Sequence, residues 1–467
     1  MLTVFALLMG GKLALLLMQP LPDAWHGDSG DYVGKALYFH EHGVFPPIRS
    51  DAPGRSALTY SDFRPPGYPL FIAALLDFGK TVPEITYNVR LAQFVLDLVT
   101  TAILLWVVWR FHPSTRYRWL AVLVLGVQPW TSAFIVTLNP DTLTAFLMVT
   151  GLGLLALFVT ARTATEDWPW VKALALVPAS LLLSLTFLIR PEMIVFAFAM
   201  ILIGLAMTLP ALPRRTVARY GVLAAIPFLA MVAANMAYRW QVAEEVRIYG
   251  AFKHATPGLM QWTKTWIGPQ AAKEGVVFGP LMIGLDGFGQ LPVGAFTDEA
   301  ERESLLAVVR VVEARGAMTP EEDRLFGAIA QRRIAADPWG YYLWNRLYGA
   351  CYFWINLSNA AHYLNGFSLL PQPLSKLLTG GFLVLKLLIL AFFVLGIVLF
   401  PWRDRSTLWV QWHLSFLLLG IAFVLMRTFY FAGVAGYVEY RYALVAWPFV
   451  LAVALYGLAR IFAAWRR

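Results

Sequence analysis

Ten apolar runs dominate the chain, at roughly 2–19, 88–109, 119–136, 141–161, 172–189, 192–210, 220–238, 377–400, 408–431 and 442–463. Each approaches the ~20 residues that an α-helix needs to cross a hydrocarbon core about 30 Å thick. The expected fold class is an all-α membrane protein of about ten transmembrane helices. The chain is 59% hydrophobic and only 14% charged, against about 25% charged in an average soluble domain. Its 18 Trp, 19 Tyr and 32 Phe suit interfacial belts. The first run has no basic leader and no A-x-A site before Gln19-Pro20, and Lys12 interrupts it, so it reads as a retained span rather than a signal peptide. Cys351 is the single cysteine, which excludes an internal disulfide and a cysteine metal site.

The net charge of +9 does not point to nucleic acid, because no Lys/Arg-rich patch with interleaved aromatics occurs. The cations flank spans instead. Arg110, Arg116, Arg118, Arg162, Lys172, Arg214, Arg215, Arg219, Arg403, Arg405, Arg466 and Arg467 all fall on the cytoplasmic side if there are ten spans and the N-terminus is inside. That orientation divides the chain into an N-terminal transmembrane module, 1–238, with an outer loop at 20–87; an outer-face segment, 239–376; and a C-terminal three-span module, 377–467. From Asp298 to Asp337, 15 of 40 residues are charged, so no span lies there. Thr319-Pro320-Glu321-Glu322 is a helix start, with Thr as cap, Pro at the first helical position and Glu returning the hydrogen bond. Leu325, Ile329 and Ile334 give that helix an apolar face. Two amphipathic helices packed on the membrane-facing core are expected, preceded by a loop over 250–294 rich in Gly, Pro and aromatics. Gly287-Phe288-Gly289 in that loop is not a dinucleotide fingerprint. The stretch 341–357 is apolar and aromatic but short, and reads as an interfacial helix with Arg346 at the headgroups.

Polar residues gather where spans meet the outer face. Gly27-Asp28-Ser29-Gly30-Asp31-Tyr32 follows the first span, and Arg64-Pro65-Pro66-Gly67-Tyr68-Pro69 lies in the same outer loop. Asp141 opens the fourth span. Arg190 and Glu192 lie between the fifth and sixth, and Glu439, Arg441 and Tyr442 sit at the start of the tenth. Ionisable residues at such positions are costly and point to a functional site. Each has a plainer explanation. Asp28, Asp31 and Asp141 fit helix caps, Arg190 and Glu192 fit a structural ion pair, Arg441 fits a snorkelling cation, and Arg64 fits an ordinary loop cation. His26, His40, His42 and His362 read as solvated or packed rather than as metal ligands.

The acid directly after the first span and the Pro-Pro turn behind it resemble the GT-C glycosyltransferases. These multi-span enzymes move a sugar from a polyprenyl-phosphate carrier at the outer membrane face. The likeness is to the protein O-mannosyltransferase and lipid A aminoarabinose transferase group. It implies a catalytic Asp28, with Ser29 standing where a second acid is common. Arg64 stands in place of the His of the family's His-Pro-Pro-like turn, Asp141 falls on its second outer acid, and Glu439-Tyr440-Arg441-Tyr442 is similar to its late Arg-Tyr string. The likeness covers most of 1–235 and the last span; 239–376 matches nothing in it. It implies a hexosyl- or pentosyltransferase, inverting because a single displacement inverts the anomeric carbon, with a polyprenyl-phosphate sugar as donor and a lipid, glycan or protein as acceptor. Asp28 is then the base that takes the acceptor hydroxyl's proton. Asp31, Tyr32, Arg64, Tyr68, Asp141, Arg190, Glu192, Glu439, Arg441 and Tyr442 form the substrate-binding set, with Arg forks suited to phosphate. No metal ligands are assigned, and a divalent cation bridging carboxylate and phosphate stays open. The alternatives are a multi-span transporter, which would place ionisable groups at the midplane in two repeated halves, and a polysaccharide polymerase or ligase. Arg427, in Leu425-Met426-Arg427-Thr428, is a cation inside a span and joins the phosphate site if it lies near the outer end.

Overall fold

The structure is a computed structural model that describes residues 1–18, 28–47, 64–78, 81–132, 135–160, 169–209, 213–244, 246, 248, 256–266, 291, 293–315, 318–355, 371–402, 411–435 and 440–465. Arg162, Arg403, Arg405, Glu439, Arg466, Arg467, His26, His362 and the Gly287-Phe288-Gly289 string lie outside the described residues.

The described residues form helices and no strand. In chain order these are α1 (Leu2–Met18), α2 (Ser29–His42), α3 (Gly67–Ala73), α4 (Val82–Val108), α5 (Thr115–Val127), α6 (Asp141–Thr160), α7 (Pro169–Leu185) and α8 (Met193–Thr208). They continue with α9 (Arg214–Ala243), α10 (Pro257–Trp266), α11 (Glu299–Arg315), α12 (Pro320–Ala336), α13 (Asn345–Ile355), α14 (Gln372–Val398), α15 (Trp412–Phe429) and α16 (Trp447–Ala464). Each of the ten apolar runs carries a helix. Among the described residues, six stretches are long and apolar enough to cross a membrane: Val82–Val108, Asp141–Thr160, Arg214–Ala243, Gln372–Val398, Trp412–Val434 and Arg441–Ala464. The helices on the other four runs are shorter, so a count of ten crossings is not established by length.

The run expected as a span over 119–136 is the one that breaks. α5 ends at Val127, and Pro129 explains the stop, since its ring removes a donor and disfavours helical backbone in the residue before it. Residues 128–132 and 135–140, between α5 and α6, are turns and non-helical backbone.

α16 forms the centre of the bundle and is buried along most of its length. Its Gly457 meets Gly396 of α14; a Cβ on Gly457 would lie 2.6 Å from the Phe392 carbonyl oxygen and 2.8 Å from the Gly396 nitrogen. Small residues that let helix backbones touch are the usual device in a medium where apolar burial supplies no driving force. The main core gathers Leu104, Leu152, Phe196, Phe423, Trp447 and Phe449 from α4, α6, α8, α15 and α16.

The segment between α9 and α14 builds a second, smaller core. Thr319 and Glu322 make the expected capping box at the start of α12. Among the described residues α11 and α12 contribute to a core separate from the main one, closing around Trp262 with Leu259, Phe296, Leu305, Phe326 and Ile329. Trp262 belongs to α10, a helix inside the stretch read as loop. Leu259, Trp262 and Trp266 lie on one face at helical spacing, a signal too short to outweigh the surrounding Gly and Pro. The stretch read as an interfacial helix is a π-turn at Gly340–Trp344 followed by α13. Trp339, Tyr342 and Trp344 are exposed, while Phe353 enters the main core and the Trp354 indole donates to Thr428 Oγ1 at 3.0 Å.

Candidate active site

The sequence-predicted residues meet at one end of the bundle, because each sits at the end of a helix pointing there. Asp28 immediately precedes α2, and Arg64 leads into α3. Asp141 begins α6. Arg190 follows the 3-10 turn Thr186–Leu188 that closes α7, and Glu192 precedes α8. Arg441 and Tyr442 lie in the 3-10 stretch Tyr440–Ala446 that leads into α16, and Arg427 occupies the last turn of α15. Gly67 allows this convergence: a Cβ there would lie 2.5 Å from the Leu188 carbonyl oxygen, so the Arg64 turn rests directly on the end of α7.

One half of the site is built on Asp28 and Asp31. Arg64 Nη2 lies 2.5 Å from Asp28 Oδ1, and its Nε lies 3.1 Å from Asp31 Oδ2 in an ion pair without hydrogen-bond geometry. Arg441 Nη2 donates to the other Asp28 oxygen at 2.9 Å. Although Asp28 occupies the cap position of α2, its side chain makes no cap hydrogen bond; its carboxylate is committed to the two arginines. Burial pushes the Asp28 carboxyl up, but Arg64 and Arg441 outweigh it and hold Asp28 well below the usual carboxylate range. Lys35, one helical turn past Asp31 and 3.6 Å from it, also donates to the Arg64 carbonyl at 3.2 Å, as does the Tyr238 hydroxyl of α9 at 3.2 Å. The Arg64 guanidinium lies 5.1 Å from the centre of the Tyr32 ring, and Tyr32 packs edge-on against Tyr68 at 5.0 Å.

The other half is built on Arg190. It donates from Nη1 to Asp141 and from Nε to Glu192 at 2.7 Å. Arg427 Nη2 lies 3.8 Å from Glu192, and its Nε donates to the Tyr442 carbonyl at 2.6 Å. The Tyr442 ring joins the halves, with Arg190 4.5 Å and Arg441 5.6 Å from its centre.

Asp28, Asp31, Tyr32, Arg64, Tyr68, Asp141, Arg190, Glu192, Arg441 and Tyr442 thus form one cluster. Lys35 and Gln93 were not singled out from the sequence. Lys35 carries a detectable signal, the i,i+4 ion-pair spacing from Asp31; Gln93 is a lone amide in an apolar helix. Arg427, a cation inside an apolar run, joins the cluster through Glu192.

Among the described residues, five cations (Lys35, Arg64, Arg190, Arg427 and Arg441) face four carboxylates (Asp28, Asp31, Asp141 and Glu192). Such a set can take an anion that competes for the arginine forks, and it holds carboxylates able to accept a proton. It does not fit a divalent cation as arranged. Every one of these acids is already paired with a cationic side chain, and no group of three or more His, Cys, Asp or Glu is spaced for a metal among the described residues.

No protein-family model matches the chain, and no curated protein sequence matches it. Solved structures do. The apo oligosaccharyltransferase of Archaeoglobus fulgidus superposes with a TM-score of 0.50 at 10% identity, over 99% of this chain and 50% of that one. The oligosaccharyltransferase AglB of the same organism, in complex with an inhibitory peptide and a dolichol-phosphate, superposes at 0.51 with 11% identity and the same coverage, 99% and 50%. This chain shares the fold of these oligosaccharyltransferases. It spans about half the length of these oligosaccharyltransferases. ArnT of Cupriavidus metallidurans, bound to undecaprenyl phosphate, aligns over 98% of this chain and 77% of its own, with 12% identity and a TM-score of 0.34. The cluster sits where span ends and connecting turns meet, so its side chains come from six separate stretches of chain.

Proposed function

We propose that this chain is a glycosyltransferase that moves a sugar from a polyprenyl-phosphate donor to a lipid, glycan or protein acceptor. The observation that carries this reading is the cluster itself: three arginines, Arg64, Arg190 and Arg441, arranged around two tyrosines and within reach of ionised carboxylates, in a bundle of membrane-crossing helices. The fold supports it, since AglB with the same fold was solved with a dolichol-phosphate.

In this mechanism the donor phosphate takes the arginine forks of both halves. The acceptor oxygen forms a bond to the anomeric carbon, the bond from that carbon to the phosphate oxygen breaks, and polyprenyl phosphate leaves with the electron pair. The hydroxyl proton passes to Asp28. One displacement inverts the anomeric centre. When phosphate draws Arg441 away, Asp28 loses one of the two cations that depress it and becomes a stronger base. With the N-terminus in the cytoplasm, Arg110, Arg116, Arg118, Arg214, Arg215 and Arg219 lie inside, and the cluster and 239–376 lie on the periplasmic or extracellular face.

The test uses purified chain in proteoliposomes with a panel of labelled polyprenyl-phosphate hexoses and pentoses and total cell-envelope acceptors. Transfer of label from the lipid to an acceptor is expected with one or more donors. Label that crosses the bilayer still attached to its lipid would replace this reading with the transporter.

A further inference from the structure

A membrane-crossing helix rarely buries a polar stripe, yet α4 does. Thr86, Arg90, Gln93, Asp97 and Thr100 recur every three or four residues and are all buried. Three of them, Arg90, Gln93 and Asp97, face the non-helical residues 128–132 and 135–140 between α5 and α6. Among the described residues the carbonyls of Ile135 and Val136 take no backbone donor, and in an apolar medium an unpaired carbonyl is costly. Arg90 Nε donates to the Val136 carbonyl at 2.8 Å. Gln93 Nε2 donates to the carbonyls of Ile135 at 3.0 Å and Thr137 at 2.9 Å. Lys12 Nζ of α1 donates to Ser132 Oγ at 2.8 Å, and that hydroxyl donates to Asp97 at 2.8 Å. The stretch so held ends in Asn139-Pro140-Asp141, which places Asp141 against Arg190.

Gln93 does something the rest of the stripe does not. Its Oε1 accepts the Tyr68 hydroxyl at 3.0 Å. Tyr68 belongs to the turn that carries Arg64. One buried amide therefore ties the stretch leading to Asp141 to the turn leading from Arg64. An amide is required, because it donates twice through one end and accepts through the other; a carboxylate only accepts and an alkyl chain does neither.

We propose that Gln93 is a positioning residue that fixes the spacing between the Arg64–Asp28–Arg441 half and the Arg190–Asp141–Glu192 half of the site. The inference rests on the function proposed above, in which one phosphate is gripped by arginines of both halves. A displacement of about 1 Å between groups that act on one ligand costs of order 10²-fold in rate, and a loosened charge-assisted contact costs roughly tenfold in affinity.

The experiment measures binding of undecaprenyl phosphate to purified wild type, Gln93→Leu, Gln93→Met and Thr100→Val, with the phosphate-free polyprenol as reference and thermal stability recorded alongside. Thr100 lies on the same stripe but bonds only the Leu96 carbonyl of its own helix, so Thr100→Val reports the effect of altering the stripe alone. Gln93→Leu, or Gln93→Met if the first does not fold, is expected to bind undecaprenyl phosphate about tenfold more weakly, with polyprenol binding unchanged and Thr100→Val like wild type. A merely structural role would lower the melting temperature and leave the affinity of the folded protein intact, and that result overturns the inference alone. Wild type that prefers undecaprenyl phosphate no more than polyprenol overturns the proposed function and this inference with it.

Discussion

Arg441 donates to Asp28 at 2.9 Å across 413 residues of chain. The contact closes the bundle at the site and, together with Arg64, holds the Asp28 carboxyl below the usual carboxylate range. It also makes Arg441 the cation that a bound phosphate can take from Asp28.

Arg441→Ala is expected to weaken donor binding by roughly tenfold to a hundredfold, the equivalent of a lost charge-assisted contact of about 1.5–3 kcal/mol. Affinity for labelled polyprenyl phosphate, measured on the folded variant, checks it. Unchanged affinity would return Arg441 to a snorkelling role.

Asp28→Asn keeps the shape of the side chain but cannot take up the acceptor's proton. A positioned base contributes about 10²–10⁴-fold to rate, and transfer is expected to fall by that order while donor binding persists. Wild-type transfer by this variant would move the base to Asp31 or Asp141.

The pH dependence follows from the depression of Asp28 by Arg64 and Arg441. A group whose carboxyl is held low in the folded protein contributes stability above its unfolded pKa, lost as pH falls through the folded value. Stability from this pair should therefore persist across neutral pH and decline only in acid, below the ordinary carboxylate range. In Arg441→Ala one depressing cation is gone, so the folded value moves up toward the unfolded one, and the acid loss of stability should be smaller and complete at a higher pH. Melting temperatures across an acid series for both proteins measure the displacement, and coincident curves would show that Arg441 does not set the Asp28 charge.

Gly67→Ala is expected to destabilise the protein by about 1–3 kcal/mol, the usual cost of forcing an extra methyl into a filled site. Its Cβ would meet the backbone of Leu188 rather than a flexible side chain. Thermal unfolding of the variant decides it. Wild-type stability would mean that the Arg64 turn can lift off α7 without cost.

The orientation is tested with single cysteines at Glu303, Arg315, Arg116 and Arg215 in a Cys351→Ser background, all four being exposed positions. An impermeant thiol reagent applied from outside is expected to label positions 303 and 315 and spare 116 and 215. The reverse pattern would place the site in the cytoplasm.

Helix placement was legible in the sequence because a long apolar run in a membrane has few ways to satisfy its backbone, and Thr319 with Glu322 announced a helix start through local hydrogen bonds. The acids and arginines at span ends were legible as a group because charge at a membrane boundary is expensive and stands out against apolar neighbours. Glu439 alone of that group falls outside the described residues. What the tertiary structure decided is who pairs with whom. Nothing within reach of Asp28 along the chain says that its partners are Arg64 and Arg441, and nothing in α4 says that Gln93 faces a broken stretch 42 and 44 residues away in sequence. Local propensity acts over a helical turn or two. Pairing over hundreds of residues is set by which helix faces pack, and here that depended on contacts such as Gly67 on Leu188 and Gly457 on Gly396, where a missing side chain lets one backbone reach another.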